Sequence, residues 1–161
     1  MTKYKINYNF FGGSTQVPLD NSEQVVTNVA TVYNIENMPQ LCFGLVNHSK
    51  NNKILQENIN KAFNKGYRHF DGAEDYGNDL YKEAVKIALS DKERKNYWLT
   101  WKDNNISVSK VRQTIEKLNC EYIDLFLVHL SCGIENDYIE LEKCKKLGLI
   151  RYWGVSNCEN I

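Results

Sequence analysis

The chain has 161 residues, 42% hydrophobic and 25% charged, the composition of an ordinary globular domain with enough chain to bury a sizeable core. Twenty basic and twenty acidic side chains cancel, so nothing in the charge points to nucleic acid or to an anionic membrane as a partner. No apolar run approaches the roughly 18 residues of a membrane span. The N-terminus MTKYKINYNFFGG lacks an apolar signal core. Five widely spaced cysteines without a C-x-x-C pair suit reduced thiols in a cytoplasmic compartment better than a disulfide framework.

Residues 1–37 read as an N-terminal extension. KYKINYNFF alternates loosely and Gly12-Gly13-Ser14 is a turn signal, so a β-hairpin is expected there. Residues 24–37 carry Val and Thr at strand-like density. From residue 38 the pattern is regular. Residues 40–46 form a short apolar run, expected as a strand, and residues 51–65 follow with Ile54, Leu55, Ile59, Ala62 and Phe63 at helical spacing. Gly66 suits a left-handed helix stop. A second strand is expected over 67–70, and a second helix over 78–90 with Leu80, Ala84, Ile87 and Ala88 on one face. A third strand over 97–101 leads to a helix capped by Ser107 or Ser109, and a fourth strand spans 122–128. A helix over 135–147, stopped by Gly148, precedes a fifth strand over 150–155.

Strands apolar on both faces that alternate with amphipathic helices indicate βαβ units and a parallel sheet. Both a doubly wound sheet and part of a (β/α)8 barrel satisfy that pattern. The absence of G-x-G-x-x-G after the first strand, and of any P-loop, weighs against the dinucleotide-binding form of the former. Chemistry-bearing side chains fall at the C-terminal ends of successive expected strands: Asp71, Lys102, His129 and Ser156-Asn157, with Tyr76 in the loop after Asp71. In a (β/α)8 barrel those ends share one face, where active sites are built. Each residue taken singly has a bland reading: a turn aspartate, a solvated lysine, a hydrogen-bonded core histidine, helix-capping Ser and Asn. Asp124, within the fourth strand, reads as structural. His129 and Cys132 form half of a zinc-ligand pattern with no second half, so no metal site is inferred.

Five segments in order resemble the aldo-keto reductase family: Met38–Gly44, Gly66–Asp79 (GYRHFDGAEDYGND), Leu99–Lys102, Tyr122–His129 and Gly148–Asn157 (GLIRYWGVSN). The resemblance covers residues 38–161 and implies a partial (β/α)8 TIM barrel of about five βα units. It also implies NADPH-dependent reduction of an aldehyde or ketone to an alcohol, acting on a small-molecule carbonyl substrate. Asp71, Tyr76, Lys102 and His129 match the family's catalytic tetrad, and Ser156 and Asn157 match residues that bind the nicotinamide carboxamide. Tyr76 would be the proton donor, Lys102 would stabilise its phenolate, Asp71 would hold Lys102, and His129 would orient the carbonyl oxygen.

The chain also departs from the family. A full barrel takes about 250 residues and eight strands, and this chain supplies five. The family's contacts from strands six to eight, which grip the rest of the cofactor, are therefore missing, and NADPH binding should weaken or vanish. Gly72 stands where Thr is usual, and Trp101 where a small polar residue is commoner. Leu45 and Val46 replace Thr and an aromatic, and Leu130 replaces a tryptophan. An open parallel sheet needs its edge covered, by the extension or by self-association. The alternative to a truncated reductase is a non-catalytic remnant serving as a structural or interaction module.

Overall fold

A computed structural model of the chain describes residues 9–10, 35–130 and 135–157. Its centre is a run of five parallel strands: β2 (Phe43–Gly44), β3 (His69–Ala73), β4 (Trp98–Asp103), β5 (Ile123–Val128) and β6 (Ile150–Val155). Helices α1 (Asn52–Asn64), α2 (Asp79–Leu89), α3 (Val108–Leu118) and α4 (Glu135–Lys146) link them in alternation. The ends of the helices are set locally. Asn51, Asn78 and Ser107 accept hydrogen bonds from first-turn amides, which satisfies donors that have no intrahelical partner. Gly66 and Gly148, at φ of 92° and 71°, take up the left-handed conformation just beyond α1 and α4.

Strand alternation divides the core into two layers. Phe70, Leu99, Trp101, Phe126 and Val128 pack against the helices together with Leu55, Ile59, Tyr81, Val85 and Val111. On the opposite face Trp98, Leu125 and Leu127 form a second cluster, capped by Ile35, Met38 and Tyr152, with the Trp98 and Tyr152 rings stacked at 5.8 Å. The register pairs Ala73 with Lys102, Lys102 with Leu127 and Val128 with Val155, so the strand ends reach the same level.

Asp124 is the structural residue its sequence position implied. It pairs with Arg94 and Arg151 and accepts the Leu99 amide at 2.8 Å, tying β4, β5 and β6 together. His69 is likewise a satisfied core histidine. Its Nδ1–H donates to the Pro39 carbonyl at 3.1 Å and its Nε2 accepts from the Thr100 hydroxyl at 2.8 Å. Burial holds its pKa below the ordinary imidazole value.

Several boundaries and faces differ from expectation. The first strand pairs only over Phe43–Gly44 rather than 40–46. On α2, Leu80 and Ile87 are exposed, while Tyr81, Lys82, Ala84, Val85, Ala88 and Leu89 are buried. The buried stripe is turned because Tyr81 inserts over Gly77 and because the Lys82 ammonium pairs with Glu74 at 2.9 Å. Of the strand-like stretch over 24–37, Ile35–Asn37 is a single 3-10 turn; the rest, with the expected Gly12-Gly13 turn, lies outside the described residues. One piece of the extension is described: β1 (Asn9–Phe10) pairs antiparallel with β6, Asn9 against Val155 and Phe10 against Gly154. The sheet order is therefore β1-β6-β5-β4-β3-β2, and the β6 edge is partly covered. Among the described residues no helix is long and apolar enough to cross a membrane.

Candidate active site

The strand register brings Asp71, Tyr76, Lys102 and His129 to one place. Asp71, on β3, and Lys102, on β4, form an ion pair buried on both sides. The Lys102 ammonium lies 5.2 Å from the centroid of the Tyr76 ring. Tyr76 ends a 3-10 turn over Glu74–Tyr76, and the edge of its ring meets His129, centroids 5.6 Å apart with the planes at 76°. His129 follows β5, and its amide donates to the Asp103 carbonyl at 3.1 Å. Burial, with help from the Lys102 charge, lowers the pKa of its imidazole despite the opposing pull of Asp75.

Ser156 and Asn157 sit beside this group. The Ser156 amide donates to the Val128 carbonyl at 2.8 Å. Asn157, in the left-handed region at φ 57°, donates through Nδ2 to the His129 carbonyl at 2.8 Å. Its amide thus fixes the backbone that carries His129. Asp71, Lys102, Tyr76, His129 and Asn157 are thus joined by direct contacts, and the Ser156 backbone adjoins them through Val128. Cys132 lies outside the described residues.

Three further residues belong to this neighbourhood. Tyr81, from α2, stacks on Trp101 at 6.0 Å and meets Tyr76 edge-on at 6.5 Å. A Cβ on Gly77 would stand 2.6 Å from that of Tyr81, so the close approach requires glycine. Asp75 places Oδ1 3.0 Å from His129 Nδ1. Cys42, just before β2, is a half-buried thiol whose pKa is raised first by desolvation and then by Asp71. For Tyr81 the signal in the sequence was the pair of glycines at 72 and 77, which make room for a ring. For Asp75 and Cys42 there was none, because their neighbours come from distant strands.

A hydroxyl and a carboxamide at 156–157, bonded to each other and to the His129 carbonyl, are the donors and acceptors that a nicotinamide carboxamide would take. The glycines with positive φ, Gly66 and Gly148, follow helix C-termini and do not form a loop of amides at a helix N-terminus.

Comparison with known proteins agrees with the fold. Residues 40–161 match the model of the aldo/keto reductase family. An NAD(P)H-dependent 6'-deoxychalcone synthase of Glycine max is 27% identical over 150 residues, spanning 76% of this chain and 48% of the relative. An NAD(P)H-dependent D-xylose reductase of Candida tenuis is 29% identical over 157 residues, 74% of this chain and 48% of that protein. Among solved structures, an aldo/keto reductase from Brucella melitensis superposes with a TM-score of 0.63 at 26% identity, over 73% of this chain and 48% of that one. The holo form of an aldo-keto reductase from Bacillus halodurans gives the same TM-score at 24% identity, over 74% and 46%. A parallel sheet with alternating helices, covering about half of a (β/α)8 barrel, and a family match over three quarters of the sequence define the class: this chain belongs to the aldo/keto reductase family. It spans about half the length of the curated relatives it matches.

Proposed function

We propose that this chain carries the proton-donating and carbonyl-binding part of an aldo-keto reductase, reducing an aldehyde or ketone to an alcohol with NADPH. The observation that carries the reading is the Lys102 ammonium, held by Asp71 and set 5.2 Å from the Tyr76 ring. NADPH, when bound, supplies the hydride, which no side chain can provide. Tyr76 gives its phenolic proton to the carbonyl oxygen as negative charge develops there. Lys102 stabilises the phenolate left behind, and Asp71 offsets the cost of burying that ammonium. His129 lies against the Tyr76 ring and borders the space for the carbonyl. Ser156 and Asn157 hold the nicotinamide carboxamide.

The non-catalytic remnant, a structural or interaction module, is the second reading. The two readings part on aldehyde-dependent oxidation of NADPH by the chain and by Tyr76→Phe. A reductase loses about 10²- to 10⁴-fold in rate when its general acid is removed. Absence of turnover in the parent chain would favour the remnant.

A further inference from the structure

Glu74 opens the 3-10 turn that Tyr76 closes, and it is not one of the four tetrad positions. Its carboxylate meets two helices. The Lys82 ammonium, from α2, donates to Oε1 at 2.9 Å, and the Lys110 ammonium, from α3, stands 3.5 Å from the same oxygen. The Thr114 hydroxyl, also from α3, reaches Oε2 at 3.5 Å. The Lys82 and Glu74 side chains are only 4% and 18% exposed, and lysine is almost never so buried unless it is paired. Asp79 is a second carboxylate near Lys82, at 3.6 Å, but its side chain lies largely in solvent, where screening weakens the attraction. Drawing Glu74 away would therefore strand a buried ammonium without its close partner, which is costly. Burial works against the Glu74 charge, yet the Lys82 ammonium outweighs it and holds the carboxyl below its ordinary pKa. The carboxylate is thus charged at neutral pH.

We propose that Glu74 and Lys82 are positioning residues for Tyr76: their buried ion pair anchors the 3-10 turn to α2 and α3 and so sets where the phenol ring stands against Lys102 and His129. The turn is three residues long, so a shift of its first residue is passed to its last. Beyond its far end, Tyr81 packs over Gly77 and meets the Tyr76 ring edge-on. The Tyr76 ring is thus bracketed by two holds, one ionic and one apolar, and both come from α2. The consequence in catalysis rests on the reductase reading. A proton donor displaced by about 1 Å can cost on the order of 10²-fold in rate. A pair that only stabilised α2 would do nothing for the phenol once other packing took over its contribution to folding.

The test is NMR of ring-labelled tyrosine in the chain without cofactor or substrate, with the Tyr76 signal identified by its loss in Tyr76→Phe. Glu74→Gln keeps the shape and removes the charge. Glu74→Leu with Lys82→Met replaces the pair by apolar side chains, a change close to neutral for stability. The proposal expects the Tyr76 signal to shift or broaden in both variants, with its ring contact to His129 weakened. Glu83→Gln, which breaks an exposed ion pair on the same helix, should leave the signal in place. A Tyr76 signal unchanged in Glu74→Gln, restored to the parent position in the double variant, or moved as far by Glu83→Gln would overturn it. Under the reductase reading, kcat in Glu74→Gln falls by up to about 10²-fold while the KM for NADPH stays near the parent value. Because the NMR readout needs no turnover, a chain whose Tyr76 signal moves as expected but which reduces no carbonyl would sink the reductase reading and leave the positioning role standing.

Discussion

Trp101 and Gly72 lie directly opposite each other in the β3–β4 ladder, and the indole fills the space that a side chain at 72 would need. A Cβ on Gly72 would stand 2.3 Å from Trp101 Cζ3. The two departures from the family at these positions are one compensated pair, a small residue making room for a large one. Restoring only half of the family pattern, by Gly72→Thr, should overpack the site. The expected cost is about 1–3 kcal/mol in denaturant unfolding. Adding Trp101→Ser should recover part of that loss, and a double-mutant cycle would give a favourable coupling between the two changes. Additive effects would contradict the pairing.

The buried Asp71–Lys102 pair makes a second prediction. Asp71→Asn leaves an ammonium buried without its counter-ion, since both side chains are nearly inaccessible. Removing one partner of such a pair costs about 3–5 kcal/mol, whereas replacing both with apolar residues of similar volume is close to neutral. Asp71→Leu with Lys102→Met should therefore be more stable than Asp71→Asn, as read by urea midpoints.

His69 makes stability depend on pH. Burial holds its pKa below the ordinary value near 6.5, so on acidification the unfolded chain takes up this proton first. Linkage then gives stability that is fully present above about 6.5 and falls as pH drops through that value toward the folded pKa. The expected readout is a falling urea midpoint between about pH 6.5 and 5, with a shallower slope in His69→Gln. His129, also lowered, supplies the remaining slope. An unchanged slope in the variant would show that His69 is not the titrating group.

β1 covers the β6 edge through Asn9 and Phe10. Unpaired strand edges template association. Deleting residues 1–34 should therefore raise self-association over that of the full chain, measured by sedimentation velocity across a concentration series. Equal behaviour of the two would show that β1 does not protect the edge.

Much of the framework was legible in the sequence because its signals are local. Ser107, one of the two expected caps, caps α3, Gly66 and Gly148 stop helices in the left-handed region, and β6 covers the expected 150–155. The grouping of Asp71, Lys102 and His129 was legible because residues on or just after successive strands of parallel βα units converge on one face, with Tyr76 in the turn that follows β3. Apolar periodicity failed on α2, where a buried lysine neutralised by Glu74 and a tyrosine packed on glycines displace Leu80 and Ile87 from the core. Asp75 was illegible for a different reason: its meaning comes from His129, which arrives from a strand two places along the sheet.

The central claim is that this chain engages a nicotinamide cofactor at the Tyr76–Lys102 group. The most direct measurement is a fluorescence titration of the purified 161-residue chain with NADPH. Saturable binding, weaker than that of a full-length cofactor site and weakened further by changes at Ser156 and Asn157, is the predicted result. No binding at millimolar NADPH would contradict the account, leaving a chain that keeps the geometry of the tetrad without a hydride to use it.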